Sequence, residues 1–390
     1  MRIDQTPGER TRIAFIINSL AGGGAERVFC RLIEGFEDRL RDCDSEIVLL
    51  DEEPHAYTPP DFMPMRTLAA ERKMVSSVAK LAREMRRFKP HAAVSFLNRA
   101  NCANVLAGRM CGYRTVISER VATAGHFGDG PVGQVKRAVT RELYRRADRV
   151  LAVSEGVRLG LIEDCGVPSD RIDVIPNPVD MARICALGAE EPDAPLPKAF
   201  IVSVNRLIPN KNVVLQLEAL HRSGLPHHLV VLGDGPQRAA LQARAKSLGI
   251  ADRVHFVGFS ANPFAIVARA DMFVSTSNAE GFPNALAEAM ALGVPCVSTN
   301  CRAGPAEILA DNANVEVSAM HAAMYGILTR VDDANACAAA LRFLAQPEQR
   351  ARYSRRAAER AAAYAPDAVI ERYWQAIARA AAPQQCAGAH

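Results

Sequence analysis

Two carboxylates stand eight positions apart in the segment Ser275-Thr276-Ser277-Asn278-Ala279-Glu280-Gly281-Phe282-Pro283-Asn284-Ala285-Leu286-Ala287-Glu288-Ala289-Met290. Pro283 with Asn284 is a helix-opening pair, and Gly293-Val294-Pro295 marks the end of that helix. The first N–H groups of such a helix have no intrahelical acceptor and make a seat for phosphate. Glu280 then lies in the loop above the seat. Glu288, four residues after Asn284, lies on the same face about 6 Å further down the axis. A ligand centred on phosphate meets one carboxylate with each of its two ends, and nucleotide sugars have that layout. A capped helix carrying two solvated glutamates fits the same spacing.

Two permanent cations, Arg206 and Lys211, follow a β-branched run in Ser203-Val204-Asn205-Arg206-Leu207-Ile208-Pro209-Asn210-Lys211-Asn212. Cations at a strand's carboxyl end suit the oxygens of a diphosphate, whose charge they neutralise without a metal. Gly233-Asp234-Gly235-Pro236 is a further backbone-exposing turn. Near the amino end, Gly22-Gly23-Gly24 sits between a strand and a helix, where a backbone without side chains lets N–H groups approach a ligand. It reads either as a ligand-facing loop or as a plain tight turn. It is neither G-x-G-x-x-G nor a P-loop.

The elements that must position these residues alternate along the whole chain. Short β-branched runs are expected as strands at 13–17, 47–50, 93–96, 115–118, 150–153 and 172–175, then again at 200–204, 229–232, 254–257, 272–275 and 296–298. Helical stretches lie between them, and 333–345, 347–364 and 366–380 are helical and rich in Ala and Arg. A proline-rich stretch separates the two series. At about 150 residues per domain, 390 residues give two or three domains. The expectation is an α/β chain of two doubly wound domains: 1–180, a linker at 181–198, and 199–365, followed by a helix at 366–381. Ligands of such sheets bind beyond the carboxyl ends of the strands, which places both rims at a cleft.

Composition narrows the function classes. About 49% of residues are apolar and 23% charged, which fits a globular chain with full-sized cores. A net charge of +4 is too balanced for a surface built to hold nucleic acid. No apolar run approaches the roughly 20 residues that span a bilayer, and residues 1–12 lack the apolar core of a secretory signal. A cytoplasmic protein is expected. The ten cysteines show no C-x-x-C, and their closest pair is Cys296 and Cys301, so buried thiols are expected rather than disulfides or zinc ligands. From Arg66 to Arg149, eighteen Lys and Arg face six Asp and Glu, a local +12 that leaves −8 elsewhere. Such a tract fits solvated helix faces or contact with anionic lipid; nucleic acid is disfavoured because interleaved aromatics are absent.

The Glu280-x7-Glu288 segment resembles the E-x7-E signature of the family 4 retaining glycosyltransferases of GT-B fold. Gly22 to Arg27 (G-G-G-A-E-R), Val153 to Val157 (V-S-E-G-V), Ile175 to Asp180 (I-P-N-P-V-D), Arg206 with Lys211, the G-D-G-P turn and Val254 to Phe259 (V-H-F-V-G-F) occur in that family's order. The resemblance implies that Arg206 and Lys211 bind the donor diphosphate, that Glu280 contacts the transferred sugar and that Glu288 holds the ribose. Catalysis would rest on Glu280, Arg206 and Lys211. Gly233 joins the donor site, Val257, Gly258 and Phe259 lie near the base, and the backbone of Phe282, Pro283, Asn284 and Ala285 caps the phosphates. Gly24 faces the donor phosphate, while Gly22, Gly23, Glu119, Arg120 and His126 are acceptor-side candidates.

The same resemblance makes 1–180 the acceptor-binding domain and 199–365 the nucleotide-sugar domain, with the last helix returning to the first. No metal or cofactor is implied, and Asp42-Cys43-Asp44, a D-x-D, reads as surface charge. Ser298 to Leu309 (S-T-N-C-R-A-G-P-A-E-I-L) is similar to a stretch of bacterial enzymes that add hexose or N-acetylhexosamine from UDP-sugars to polyprenyl-diphosphate glycans or surface polysaccharides. The implied partners are a UDP-sugar and a glycan or lipid-linked acceptor; the Arg66–Arg149 tract is the expected contact with anionic lipid on the cytoplasmic face of the inner membrane. Competing readings are a UDP-sugar 2-epimerase of similar fold and a non-catalytic nucleotide-sugar-binding protein. A dinucleotide-dependent oxidoreductase lacks its glycine fingerprint.

Overall fold

The structure, a computed structural model, describes residues 10–121, 130–193 and 195–382. The chain divides into two compact units, Met1–Pro178 with Pro366–His390, and Val179–Ala365. Each is built on one sheet wrapped by helices.

In unit 1 the order is β1 (Arg12–Ile17), α1 (Gly24–Gly35), α2 (Glu37–Leu40), β2 (Asp44–Leu49), β3 (Met65–Thr67), α3 (Met74–Phe88), β4 (Ala92–Phe96), α4 (Asn98–Cys111), β5 (Arg114–Glu119), α5 (Pro131–Tyr144), β6 (Arg149–Ala152), α6 (Glu155–Glu163) and β7 (Ile172–Val174). The sheet runs β3-β2-β1-β4-β5-β6-β7 with every pairing parallel. Parallel strands buried on both faces need apolar residues at nearly every position, and β1 and β4 show this. One face packs Phe29 and Leu32 of α1 with Phe36 just after it, while the other packs Leu81, Met85 and the alanines of α4.

Unit 2 begins with α7 (Met181–Gly188) and continues through β8 (Phe200–Val204), α8 (Val213–Ser223), β9 (His228–Leu232), α9 (Arg238–Ser247), β10 (Val254–Gly258) and α10 (Pro263–Val267). Then come β11 (Met272–Ser275), α11 (Asn284–Ala291), β12 (Cys296–Thr299), α12 (Pro305–Ala310), β13 (Met320–Ala322), β14 (Ile327–Thr329), α13 (Ala334–Ala345) and α14 (Pro347–Ala362). Its sheet runs β10-β9-β8-β11-β12-β14-β13, parallel except for the last pairing. A final helix, α15 (Pro366–Ala381), packs within unit 1, where Trp374 meets Phe36 at 5.5 Å between ring centroids.

Two features depart from the sequence reading. The stretch 181–198, expected as a linker, opens as α7: Asp180 caps it by accepting from the Arg183 N–H at 3.0 Å, and Ile184 is buried. Strands β3, β13 and β14 were not expected; β3 and β13 are largely exposed edge strands without an apolar run. Asp42 and Asp44 are exposed at the amino end of β2, the opposite edge of the sheet from the glycine loop. All cysteines among the described residues are free thiols, most of them buried. Among those residues no helix is long and apolar enough to cross a membrane.

Ser118, Glu119 and Arg120 close β5 from inside. Arg120 is 7% exposed and donates to the Tyr373 hydroxyl at 2.8 Å, to Ser118 Oγ at 3.3 Å and to Asn177 Oδ1, with its guanidinium 5.4 Å from the centre of the Phe96 ring. Tyr373 in turn donates to the Ile175 carbonyl at 3.2 Å. This clamp ties α15 and the I-P-N-P strand end to β5. Arg120→Ala leaves the buried Asn177 and Tyr373 groups without their cationic partner, and we expect unit 1 to lose about 3 kcal/mol in urea unfolding.

Candidate functional site

In unit 2 the chain lays β8, β9 and β10 outward to one edge, then crosses back and places β11 on the other side of β8. The loops leaving β8 and β11 therefore diverge at a switch point, where doubly wound sheets bind ligands. Both chemistry-bearing segments lie here. Lys211, on the β8 loop, puts its Nζ 2.5 Å from Glu280 Oε1 on the β11 loop. The side chains are 22% and 13% exposed, so the pair is largely shielded from water. Arg206, on the same loop, is exposed.

Buried hydrogen bonds hold the two loops together. Thr276, 1% exposed, donates to the carbonyls of Lys211 at 3.1 Å and Asn212 at 2.9 Å and accepts from the Gln216 amide at 3.0 Å. Asn210 donates from its side chain to the Ala279 carbonyl at 2.9 Å, and its own carbonyl accepts from the Asn278 N–H at 2.8 Å. Asn212 adopts a left-handed φ of 46° and donates to Asn278 and Asp332. Loops this polar stay ordered because most of these groups find partners. The backbone of Lys211 is thereby fixed relative to Glu280. Thr276, Gln216, Asn210 and Asn212 were not assigned roles from sequence, since they act on backbone atoms that only the fold brings close.

The glycines of the G-D-G-P turn are required by the loop before Lys211. A Cβ on Gly233 would stand 2.1 Å from the Asn205 carbonyl oxygen, and one on Gly235 2.5 Å from that of Leu207. Gly233 also donates its N–H to the Gly258 carbonyl at 2.7 Å, joining the ends of β9 and β10. Just beyond, Val257 is 36% exposed and Phe259 89%, so an apolar and an aromatic face stand open at the rim. On the β11 side, Gly304, at φ +94°, lies where a Cβ would meet Pro283 and the Gly281 carbonyl. Phe282 is buried edge-on against Tyr364 with ring centroids 5.2 Å apart, which fixes the entry to α11. Pro283 has no N–H, and its carbonyl takes the Leu286 and Ala287 N–H groups. The Ala285 N–H precedes the first intrahelical bond and lacks an acceptor in the helix. Glu288, one turn further on, is half-buried.

The unit 1 candidates separate. Gly22 is exposed with φ +113°, and Gly23 and Gly24 lead into α1 without a side-chain cap. The Glu26 carboxylate lies over Gly23, 2.4 Å from where a Cβ would stand, so the chain's own anion sits at this positive helix end. Glu119 and Arg120, read as acceptor-side groups, are buried instead. Glu119 is 1% exposed and accepts from the Tyr144 hydroxyl at 2.6 Å and from the Arg120 and Val121 N–H groups at 3.1 and 3.3 Å. His126 lies outside the described residues.

Comparison with known proteins places both units. Residues 22–183 match the model described as Glycosyltransferase Family 4, and residues 189–360 match Glycosyl transferases group 1. The chain is 26% identical over 367 residues, 90% of its own length and 95% of the relative's, to the N-acetylgalactosamine-N,N'-diacetylbacillosaminyl-diphospho-undecaprenol 4-alpha-N-acetylgalactosaminyltransferase of Campylobacter jejuni. It is 33% identical over 174 residues, 43% of this chain and 47% of the relative, to the lipopolysaccharide 1,6-galactosyltransferase of Escherichia coli K12. Among solved structures, Anabaena HepE in complex with UDP superposes with a TM-score of 0.72 at 20% identity, covering 94% of this chain and 99% of that one. The lipopolysaccharide outer core galactosyltransferase WaaB superposes with a TM-score of 0.71 at 20% identity, over 94% and 99%. These likenesses give the two-sheet GT-B fold.

The Thr276 node generates a test. Thr276→Val removes both hydroxyl bonds to the Lys211 loop and strands the buried Gln216 amide, and we expect unit 2 to lose about 1–3 kcal/mol in urea unfolding. Thr276→Ser, which keeps the hydroxyl, restores most of that loss. A loss in Thr276→Ser with none in Thr276→Val would show that the methyl, not the hydroxyl, holds the loop.

Proposed function

Since this chain belongs to the glycosyltransferases, with a Family 4 segment and a group 1 segment on a GT-B framework, we propose that it transfers a hexose or N-acetylhexosamine from a UDP-sugar to a glycan or polyprenyl-diphosphate-linked acceptor, with retention at the anomeric carbon and without a metal. The observation that carries this reading is the shielded Lys211–Glu280 pair at the switch point of unit 2. Strand neighbours lie about 4.8 Å apart. The loops of β10, β9, β8 and β11 thus offer, in a row, an open aromatic, a glycine turn, two cations and a carboxylate. A base, a diphosphate and a sugar can span that row.

In this reading unit 2 holds the donor and unit 1 the acceptor. The bond from the anomeric carbon to the diphosphate oxygen breaks as the acceptor oxygen bonds to that carbon, and the hydroxyl proton passes to the departing phosphate. Arg206, Lys211 and the Ala285 N–H stabilise the charge that grows on the diphosphate, and a fixed set of donors aimed at a leaving group needs no reorganisation during the step. Two cations and a helix end supply the neutralisation that a metal would otherwise give. A carboxylate already engaged by an ammonium is a poor nucleophile, so Glu280 serves to orient the sugar and stabilise positive charge at its anomeric centre. Glu288 accepts from the ribose hydroxyls.

We place the protein on the cytoplasmic face of a membrane, held by part of the Arg66–Arg149 tract. Much of that tract is spent internally: Arg72 pairs with Glu53, Arg99 with Asp51, Arg114 with Asp148 and Arg149 with Asp173. What supports a lipid contact is α5, where Val132, Val135 and Val139 are 68%, 63% and 47% exposed at helical spacing beside exposed Lys136 and Arg141. β-Branched residues gain nothing on a solvated helix face, whereas an apolar stripe flanked by cations suits the headgroup boundary.

Screening UDP-sugars by thermal stabilisation, then assaying transfer to lipid-linked and glycan acceptors, tests the activity. Glu280→Ala, Lys211→Ala and Arg206→Ala are each expected to lower kcat/KM by at least about a hundredfold with an unchanged far-ultraviolet spectrum. Near-normal turnover in Glu280→Ala defeats the site assignment, and UDP-sugar conversion without acceptor favours an epimerase. Liposome sedimentation at low salt is expected to show binding to anionic over neutral vesicles that weakens in a Val132→Ser/Val135→Ser variant; equal partition of the native protein between the two vesicle types defeats the membrane reading.

A further inference from the structure

We propose that Glu280 is the internal counterion of Lys211 and selects against the spent nucleoside diphosphate, so that re-forming the Lys211–Glu280 pair helps expel UDP after transfer; this rests on the reading of unit 2 as a UDP-sugar site. The geometry is specific. Lys211 Nζ lies 2.5 Å from Glu280 Oε1; Thr276 holds the Lys211 carbonyl, and Asn210 holds the backbone of Asn278 and Ala279 just before Glu280. The two side chains face each other from adjacent strand ends with little water between them. A diphosphate that takes Lys211 must therefore share or displace this carboxylate.

Donor and product differ in what they offer Glu280 in exchange. The sugar of a UDP-sugar carries hydroxyl groups that donate to a carboxylate and compensate it for the lost ammonium contact. Free UDP has no sugar there, and its terminal phosphate ionises a second time near pH 6, so at neutral pH it carries about one more negative charge than the donor. Glu280 then faces a phosphate oxyanion with no proton between them. Glu280 and that phosphate then compete for the single Lys211 ammonium, and binding UDP breaks the Lys211–Glu280 pair with no hydroxyl to replace it. The anion that binds worst is thus the one to be released. Lys211, a compact ammonium with rotatable donors, can move between the two acceptors over a short distance.

The test is a double-mutant cycle on UDP affinity, measured by titration calorimetry at pH 7.5 with the native protein, Glu280→Gln, Lys211→Ala and the double variant. Glu280→Gln keeps the side chain's size and removes its charge, and thermal unfolding of each variant checks that it is folded. The expected result is UDP binding tightened on the order of tenfold by Glu280→Gln, with that gain largely lost in the Lys211→Ala background. Unchanged or weaker binding in Glu280→Gln overturns the proposal, and so does a gain of the same size without Lys211, since the carboxylate then acts on the nucleotide alone. If the native protein ignores UDP but binds ADP or GDP, the donor reading fails, and the same cycle run with that nucleotide decides the counterion role. A native protein that binds none of the three overturns both.

Discussion

Lys211 and Glu280 are 69 residues apart in the chain and 2.5 Å apart in the fold, a closure that depends on β8 and β11 being neighbours across the reversal of strand order in unit 2. Neither residue means much alone. A lysine on a loop is a solvated cation, and a glutamate before a helix is a common first-turn acid. Bringing them together in a half-dry place makes a charge pair of the kind that ligand sites use. The glycine turn after β9, the open edge of β10 and the uncapped start of α11 are all arranged around that point.

Holding such a pair requires that the backbone beneath it be immobile, and the cost of ordering two polar loops is met by buried hydrogen bonds rather than by apolar packing. Thr276 and Gln216 do this from below, Asn210 and Asn212 from the side. Cys301 is buried close by, its thiol pushed up to about 12 chiefly by burial. It stays a neutral, apolar filler beneath the charged groups. On the α11 side Phe282, Tyr364 and Gly304 shape the approach to the helix. The site is thus a set of loops with a rigid underside.

Unit 1 shows how charged motifs mislead when read without depth. Glu119 and Arg120 are adjacent charges at a strand end, the kind of pair that a ligand site uses, yet both are spent on Tyr144, Tyr373, Asn177 and neighbouring amides. A buried arginine with several acceptors organises a fold at least as readily as it binds a ligand. The basic tract has the same lesson in aggregate. Its sequence total counts Arg72, Arg99 and Arg149, whose partners Glu53, Asp51 and Asp173 lie outside the counted window. The local potential is smaller than the count, and the exposed valines of α5 become more informative than the charge itself.

The two sheets were legible in the sequence, and so was the position of the E-x7-E, Arg/Lys and glycine-turn segments at strand ends. Full-length strands buried on both faces write long apolar runs into the chain, and the E-x7-E, Arg/Lys and glycine-turn segments sit at strand ends where chemistry requires particular residue types. What the sequence could not show were exposed edge strands such as β3 and β13, whose residues carry no apolar run, and a helix such as α7 whose signal is one capping aspartate after two prolines. Which polar residues face each other was fixed by the fold alone. That information resides in strand order: the same Lys, Glu, Thr and Asn side chains would be solvated loop residues had β11 been added at the edge beside β10, instead of beside β8.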